Sequence, residues 1–475
     1  MSLPDEAISD EGLDYTALPL GWAISKTSDA INIDGVIADG DWIESKDQDP
    51  NGGVRLIQLA DIGDGYFRNK SERFMTTENA IRMNCTFLKS GDVLIARMPD
   101  PLGRACIFPG IDQEAVTVVD ICLIRVNIES AIKNKLLMYW INTPQVRNYI
   151  AMQSTGTTRK RITRKKLEVL ELPIPPLAEQ QQIAAKLDEL LAQVDNLKTR
   201  LNNIPKILKR FRQSVLAAAV SGKLTEEWRS SEDLIDWKQS LLGDLVNKPS
   251  YGTSSKSQEE GKIPVLRMGN LQDGKLNWSN LVYTSDEDEI RKYRLYSGDI
   301  LFNRTNSPEL VGKTSIYRGE REAIYAGYLI RVQCTNELNP EYLNILLNST
   351  SARAYCRAVK SDGVSQSNIN AQKLIAYPVN CPPIEEQTEI VTRVEQLFAY
   401  ADQIEQRVKD AQSRVNHLTQ AILAKAFRGE LTADWRVQNP ELISGENSAE
   451  ALLARIKAER EQTQVVKKAK ATSSN

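Results

Sequence analysis

The sequence repeats itself, and no other feature restricts the fold as strongly. Pro175-Pro-Leu-Ala-Glu-Gln180 matches Pro382-Pro-Ile-Glu-Glu-Gln387 at an offset of 207 residues. Held without a gap, that offset carries the match to Gly222-Lys-Leu-Thr-Glu-Glu-Trp-Arg229 and Gly429-Glu-Leu-Thr-Ala-Asp-Trp-Arg436, with 18 of 55 aligned positions identical. Upstream, Leu88-Lys-Ser-Gly-Asp-Val-Leu-Ile-Ala-Arg97 matches Leu295-Tyr-Ser-Gly-Asp-Ile-Leu-Phe-Asn-Arg304 at the same offset. Asp64-Gly65 answers Asp273-Gly274, and Leu123-Ile-Arg-Val126 answers Leu329-Ile-Arg-Val332, with small shifts. A repeat this long dictates the architecture. Two variable globular units, 17–174 and 230–381, alternate with two similar helical regions, 175–229 and 382–436; an N-terminal tail (1–16) and a C-terminal helix with a basic tail (437–475) flank them. The helical regions have diverged less than the globular ones, which implies one shared task and two different ones.

In the first helical region apolar residues fall at Ile183, Leu187, Leu190, Val194, Leu197, Leu201, Ile204, Leu208, Phe211 and Val215. The second repeats the seam at Ile390, Val394, Leu397, Ala401, Ile404, Val408, Ala411, Val415, Leu418 and Ile422. Steps of four and three residues are the period of a coiled coil. Each helix follows a Pro-Pro pair and is expected to stop near Gly222 or Gly429. Pro205 is expected to kink or split the first helix by removing a backbone donor. One amphipathic helix by itself would simply pack on its own domain; two matched seams predict mutual packing. Because the chain leaves the first globular unit along one helix and leaves the second along the other, the pair should be antiparallel, a spacer of roughly 60 Å with a globular unit at each end.

The globular units read as strand-rich, an α+β class. Val54–Leu59, Asp92–Ala96 and Ala115–Val119 are short β-branched runs between Gly, Asp and Asn turns. Lys133–Tyr149 and Pro340–Tyr355 read as helical, as does Ala449–Glu461 ahead of a disordered Lys467-Lys-Ala-Lys470 tail. That last helix has the position to complete the first globular unit, giving a pseudo-two-fold, quasi-circular arrangement.

Catalytic constellations are missing from this pattern. The one histidine, His417, lies on the second seam, and the six cysteines form no CxxC pair. A zinc finger and a histidine-based triad are thereby excluded, a metal site is not expected, and a reducing, cytoplasmic setting is. No apolar run is long enough for a membrane span, and the acidic start is unlike a secretory signal. Ser307-Pro-Glu-Leu-Val-Gly-Lys-Thr314 lacks the first glycine of a P-loop, and Glu44-Ser-Lys46 lacks the Pro-Asp of a nuclease site.

Lys and Arg number 60 against 62 Asp and Glu, so a uniformly basic coat is excluded but a basic face is not. The densest segment is Arg159, Lys160, Arg161, Arg164, Lys165 and Lys166, after Ser154–Thr158. Its repeat partner, Ser361–Asn370, carries the amides Gln366, Asn368 and Asn370 instead. Cations gain from neutralising phosphate, while Arg, Gln and Asn read base edges with paired hydrogen bonds. The plain alternative is a solvated charged face; the matched location beside each helical region favours loops that face DNA. Arg97 and Arg304, after matched Ser-Gly-Asp turns, are the next candidates, against structural salt bridges. Arg104 and Lys313, each following a glycine, complete the set.

Two divergent units alternating with two similar helical segments resemble the specificity subunits of Type I restriction-modification systems, the enterobacterial IA-type subgroup above all. The strings that carry the resemblance are Ile174–Gln180, Leu208-Lys-Arg-Phe-Arg-Gln213, Gly222–Arg229, Arg393–Asp402 and Ile422–Thr432. The resemblance implies two target recognition domains, each reading one half of a split, asymmetric site on double-stranded DNA, and helices that set the unread gap. It implies two methylation subunits and further restriction subunits around one such chain, with S-adenosylmethionine, ATP and magnesium on those partners and no cofactor here. Leu224, Thr225, Trp228 and Arg229, with Leu431, Thr432, Trp435 and Arg436, are then candidates for docking the methylation subunits, or equally for capping the helix bundle. The rivals are a DNA methyltransferase or nuclease with unrecognised motifs, and a coiled-coil adaptor without DNA affinity.

Overall fold

The structure, a computed structural model, describes residues 18–99, 101–156, 159–231, 237–363 and 366–473. The expected tail 1–16 and the tips of both candidate loops, Thr157-Thr158 and Val364-Ser365, lie outside them. The chain divides into two compact units. Residues up to Thr199 and from Gln412 onward form the first; Arg200–Ala411 form the second.

In the first unit, Val36–Asp39, Ile121–Arg125, Val93–Ala96 and Ala105–Ile107 make a four-stranded antiparallel sheet. A second sheet sets Val54–Ile57 between Phe74–Met75 and a parallel neighbour, Ala115–Thr117. Ala23–Lys26 pairs with Glu171–Ile174 beside the long helix. The second unit repeats this plan. Ser250–Tyr251, Leu329–Val332, Ile300–Asn303 and Thr314–Ile316 form its four-stranded sheet; Ile263–Leu266 lies between Val282–Thr284 and parallel Ile324–Tyr325; Lys238–Leu241 pairs with Pro378–Cys381. Val93–Ala96 and Ile300–Asn303 are buried at every position, so their short apolar runs are central strands covered on both faces.

The matched Ser-Gly-Asp turns have a physical cause. Gly91 and Gly298 sit at φ 96° and 93°, open to glycine at no steric cost. The aspartate that follows closes each turn, accepting from the backbone N–H of Lys89 at 2.7 Å in one copy and of Tyr296 at 2.9 Å in the other. The arginine of each Leu-Ile-Arg-Val string then reaches that aspartate: Arg125 to Asp92 at 2.6 Å, Arg331 to Asp299 at 3.8 Å.

The long helices run Leu177–Val220 and Ile384–Phe427. In the first unit Ile183, Leu187 and Val194 share a core with Ile422, Leu423, Ala426 and Phe427, the start of one helix against the end of the other. In the second unit Val215, Leu216 and Ala219 share a core with Ile390 and Val394, again end against start. The pairing is antiparallel in both. Gly222 and Gly429 end the helices at φ 76° and 72°. Pro205 does not split its helix, which continues unbroken across it; a proline removes one donor, and the neighbouring bonds hold the rod. The seam is also less regular than its spacing predicts. Leu190, Leu201, Leu397 and Ile404 are half-buried and Leu197 is 42% exposed, as is Leu418 at 43%. A helix of 3.6 residues per turn drifts about 20° per heptad from a 3.5-residue repeat, which rotates positions out of the contact.

Two expected helices each prove to be a pair. Asn134–Ile141 gives way to Pro144–Gln153 at Thr143, whose hydroxyl caps the new helix ahead of a proline; Pro340–Asn348 gives way to Thr350–Val359 at Ser349, whose hydroxyl caps it without a proline. The C-terminal helix is longer than expected, Ala449–Ser473, with no break before the basic segment. Its Ala449, Leu452 and Ile456 are buried in the first unit's core, and Arg460 donates to the carbonyls of Ser28 and Ile31. Among the described residues no helix is long and apolar enough to cross a membrane.

Candidate nucleic-acid interface

The long helices hold the globular parts through one construction used twice. The glutamate of Pro-Pro-x-x-Glu-Gln is fully buried in both copies. In the first unit Glu179 accepts from the Trp22 indole N–H at 2.8 Å, from the Thr432 hydroxyl at 2.6 Å and from the Arg436 guanidinium. In the second, Glu386 accepts from the Trp237 indole at 2.9 Å, the Thr225 hydroxyl at 2.7 Å and Arg229 Nε at 3.0 Å. Each arginine also reaches back 2.8 Å to the carbonyl of the helix-ending glycine, Gly429 or Gly222. Lys186 and Arg393, at matched positions, donate to the carbonyls of Leu431 and Leu224 at 2.8 and 2.9 Å. A buried carboxylate is tolerable only when paired and fully hydrogen-bonded. Burial works against the charged form of Glu386, but the bonds from Arg229, Thr225 and Trp237 outweigh it and hold its carboxyl below the ordinary glutamate value.

The adjoining glutamine ties the helix to the globular part. Gln180 accepts from the backbone of Lys133 at 2.9 Å and donates to Ala131 and Pro175; Gln387 accepts from Asn339 at 2.7 Å and donates to Glu337 and Pro382. Thr225, Arg229, Thr432 and Arg436 are therefore engaged in capping the bundle. Leu224 and Leu431 pack against the cores, and Trp228 and Trp435 are half-buried. Sequence reasoning missed Glu179, Glu386, Trp22 and Trp237 as a unit, although the identity of Glu-Gln in both copies was the available signal.

This frame carries two matched hairpins. In the first unit Thr155 and Arg161 exchange both backbone bonds, at 3.0 and 2.9 Å, closing a loop between the helix ending at Gln153 and the short helix Arg164–Glu168. In the second unit Ser361–Asp362 pairs with Ser367–Asn368, which pairs in turn with Thr305–Asn306. A two-stranded ribbon is an element that fits the DNA major groove. The basic segment divides in two. Arg161 donates to the Val119 carbonyl at 2.8 Å, Arg164 lies 3.3 Å from Glu168, and Lys166 reaches the Gln153 carbonyl at 2.5 Å. Arg159, Lys160 and Lys165 are exposed and donate to no described group. Of the amides, Asn368 donates to Thr305 at 2.8 Å and Asn370 caps the helix starting at Ala371; Gln366 is exposed. Lys313 Nζ lies 3.4 Å from Gln272, and Thr314 opens a strand rather than the helix of a P-loop.

Arg97 and Arg104 correct the expectation of a DNA contact. Arg97 is 5% exposed, paired with Asp39 and bonded to the carbonyls of Ile162 and Val119. Arg104 is 3% exposed and donates to the carbonyls of Ile62, Pro101 and Leu59. Both guanidinium groups are thereby committed to the interior, where buried polar groups are hydrogen-bonded. Arg304, the repeat counterpart of Arg97, is placed differently: partly exposed, its guanidinium 4.7 Å above the Tyr251 ring, with no carboxylate partner among the described residues.

Known proteins resemble this chain in sequence and in fold. The family model described as Type I restriction modification DNA specificity domain matches residues 19–206 and 235–411. The EcoKI specificity subunit of Escherichia coli K12 is 45% identical over 339 residues, covering 70% of this chain and 73% of that protein. The StySPI specificity subunit of Salmonella potsdam is 44% identical over 338 residues, with 70% and 73% covered. Among solved structures, the HsdS subunit from Thermoanaerobacter tengcongensis shares the fold at a TM-score of 0.56 and 19% identity, over 87% of this chain and 98% of that one. A chain from work on complex assembly and conformational transition of the type I R-M system does so at 0.63 and 18%, over 87% and 99%. The duplicated frame and these matches together establish that the chain belongs to the family of Type I restriction-modification DNA specificity subunits.

Proposed function

We propose that this chain reads a bipartite, asymmetric site on double-stranded DNA, one globular unit per half-site, without catalysing a reaction itself. The observation that carries the reading is a frame built twice from the same residues around two hairpins of different chemistry: Arg159 and Lys160 in one, Gln366 and Asn368 in the other. Like frames suit like partners, since repeated surfaces bind identical subunits. Unlike hairpins suit unlike half-sites. The antiparallel helices set the gap between halves, and half-sites one DNA turn apart lie ~34 Å from centre to centre. Two methylation subunits dock on the repeated regions and restriction subunits join them, in the cytoplasm. S-adenosylmethionine, ATP and magnesium belong to those partners.

The test is to replace residues 17–174 by the recognition domain of another specificity subunit, supply the methylation subunit, and map methylated adenines. One half of the modified site should change while the other stays. A change in both halves, or methylation independent of this chain, overturns the reading.

A further inference from the structure

We infer that Arg304 reads a guanine in the half-site of the second unit, through the major-groove edge, and that Tyr251 is the residue that positions it. The inference rests on the DNA-reading function above and names the base and the side chain.

Arg304 and Arg97 occupy the same place after matched Ser-Gly-Asp strands, yet their donors go to different ends. Arg97 is bonded to Asp39 and two carbonyls. The Arg304 guanidinium donates to no described group, and its Nε is buried without a partner among the described residues. The second unit gives carboxylates to Arg229, Arg294, Arg318 and Arg331. It gives Arg304 an aromatic ring, with Cζ 4.7 Å from the Tyr251 centroid. Stacking holds the guanidinium plane without occupying its hydrogen-bonding edge.

The stack is held from several sides. Tyr251 pairs with Ile330 in the sheet, and its hydroxyl accepts the Ala371 N–H at 3.1 Å. Arg304 donates its own N–H to Tyr328 at 3.1 Å and accepts from Ile369 at 2.8 Å, so it sits at the root of the amide hairpin. A planar fork oriented in advance and flanked by Thr305, Asn306 and Asn368 matches the O6 and N7 acceptors of guanine, which an arginine meets with two bonds at once. A phosphate also accepts two bonds, but it carries no sequence information.

The experiment uses the full chain assembled with its methylation subunits, binding a duplex library randomised across the second half-site at several salt concentrations. With Arg304→Ala, one base pair should lose its preference for guanine by roughly tenfold or more while the first half-site is unaffected. Arg304→Lys should keep overall affinity and lose that discrimination. Tyr251→Ala should reproduce the loss, and Tyr251→Phe, which keeps the ring, should restore most of it. Uniform weakening across all sequences with a salt slope lower by about one would assign Arg304 to a phosphate and overturn the inference. Unchanged discrimination in every variant, beside a parent complex that discriminates, would overturn it and leave DNA reading intact. A parent complex indifferent to sequence would remove both.

Discussion

The glutamate clasps and the hairpins occur once in each unit, and the two copies differ in what they keep. Trp22, Glu179, Thr432 and Arg436 reproduce Trp237, Glu386, Thr225 and Arg229 residue for residue. The hairpins keep their place but neither their side chains nor their register: Thr155 bridges Arg161, whereas Ser361–Asp362 pairs with Ser367–Asn368. A buried carboxylate tolerates no exchange, because any lost donor leaves a charge without compensation. An exposed hairpin side chain has only its ligand to satisfy. Similarity between the halves thus marks where burial enforces the chemistry, and difference marks where a partner outside the chain selects it.

Removing the clasp carboxylate should have the largest effect. Glu386→Ala and Glu179→Ala should each destabilise their unit by about 3–5 kcal/mol, with similar losses in denaturant titrations. A large loss in one unit only would show that the two clasps are not equivalent. Next in size, Arg97→Ala should cost about 2–3 kcal/mol, because the Ile162 carbonyl loses a donor and Asp39 keeps only Arg164, 3.8 Å away. Arg304→Ala should cost under about 1 kcal/mol in the same melting experiment. Equal losses would erase the contrast between the two arginines.

The hairpins differ in charge, so salt should separate them. Replacing Arg159, Lys160 and Lys165 by alanine should lower the slope of log affinity against log salt by about 2–3. Gln366→Ala should leave that slope unchanged. The smallest effect concerns pH. The carboxyl of Glu386 is held below the ordinary value of 4.5, so its contribution is complete above that pH and is lost as the pH falls through the lower folded value. Glu386→Gln should remove this part of the acid dependence; an acid unfolding profile identical to that of the parent would show that the clasp does not titrate.

Much of this was legible in the residues. The offset of 207 residues predicted matched units, the 3.5-residue seam predicted helices that pack together, the chain order made them antiparallel, and Gly222 and Gly429 predicted their ends. The site was legible only in part. Arg97 and Arg304 look alike in their strings, and nothing local tells that Asp39 lies beside one and Tyr251 beside the other. Thr225 and Arg229 were open between partner docking and capping, because Glu386 lies more than 150 residues further along the chain.

Periodicity, glycine turns and the repeat are properties of neighbouring residues, so the sequence alone was enough to specify the elements, their order and their duplication. Whether a given cation is committed to the interior or left for a ligand depends on which carbonyls and carboxylates the fold brings within about 3 Å. Those groups come from distant segments, and only the folded chain assembles them.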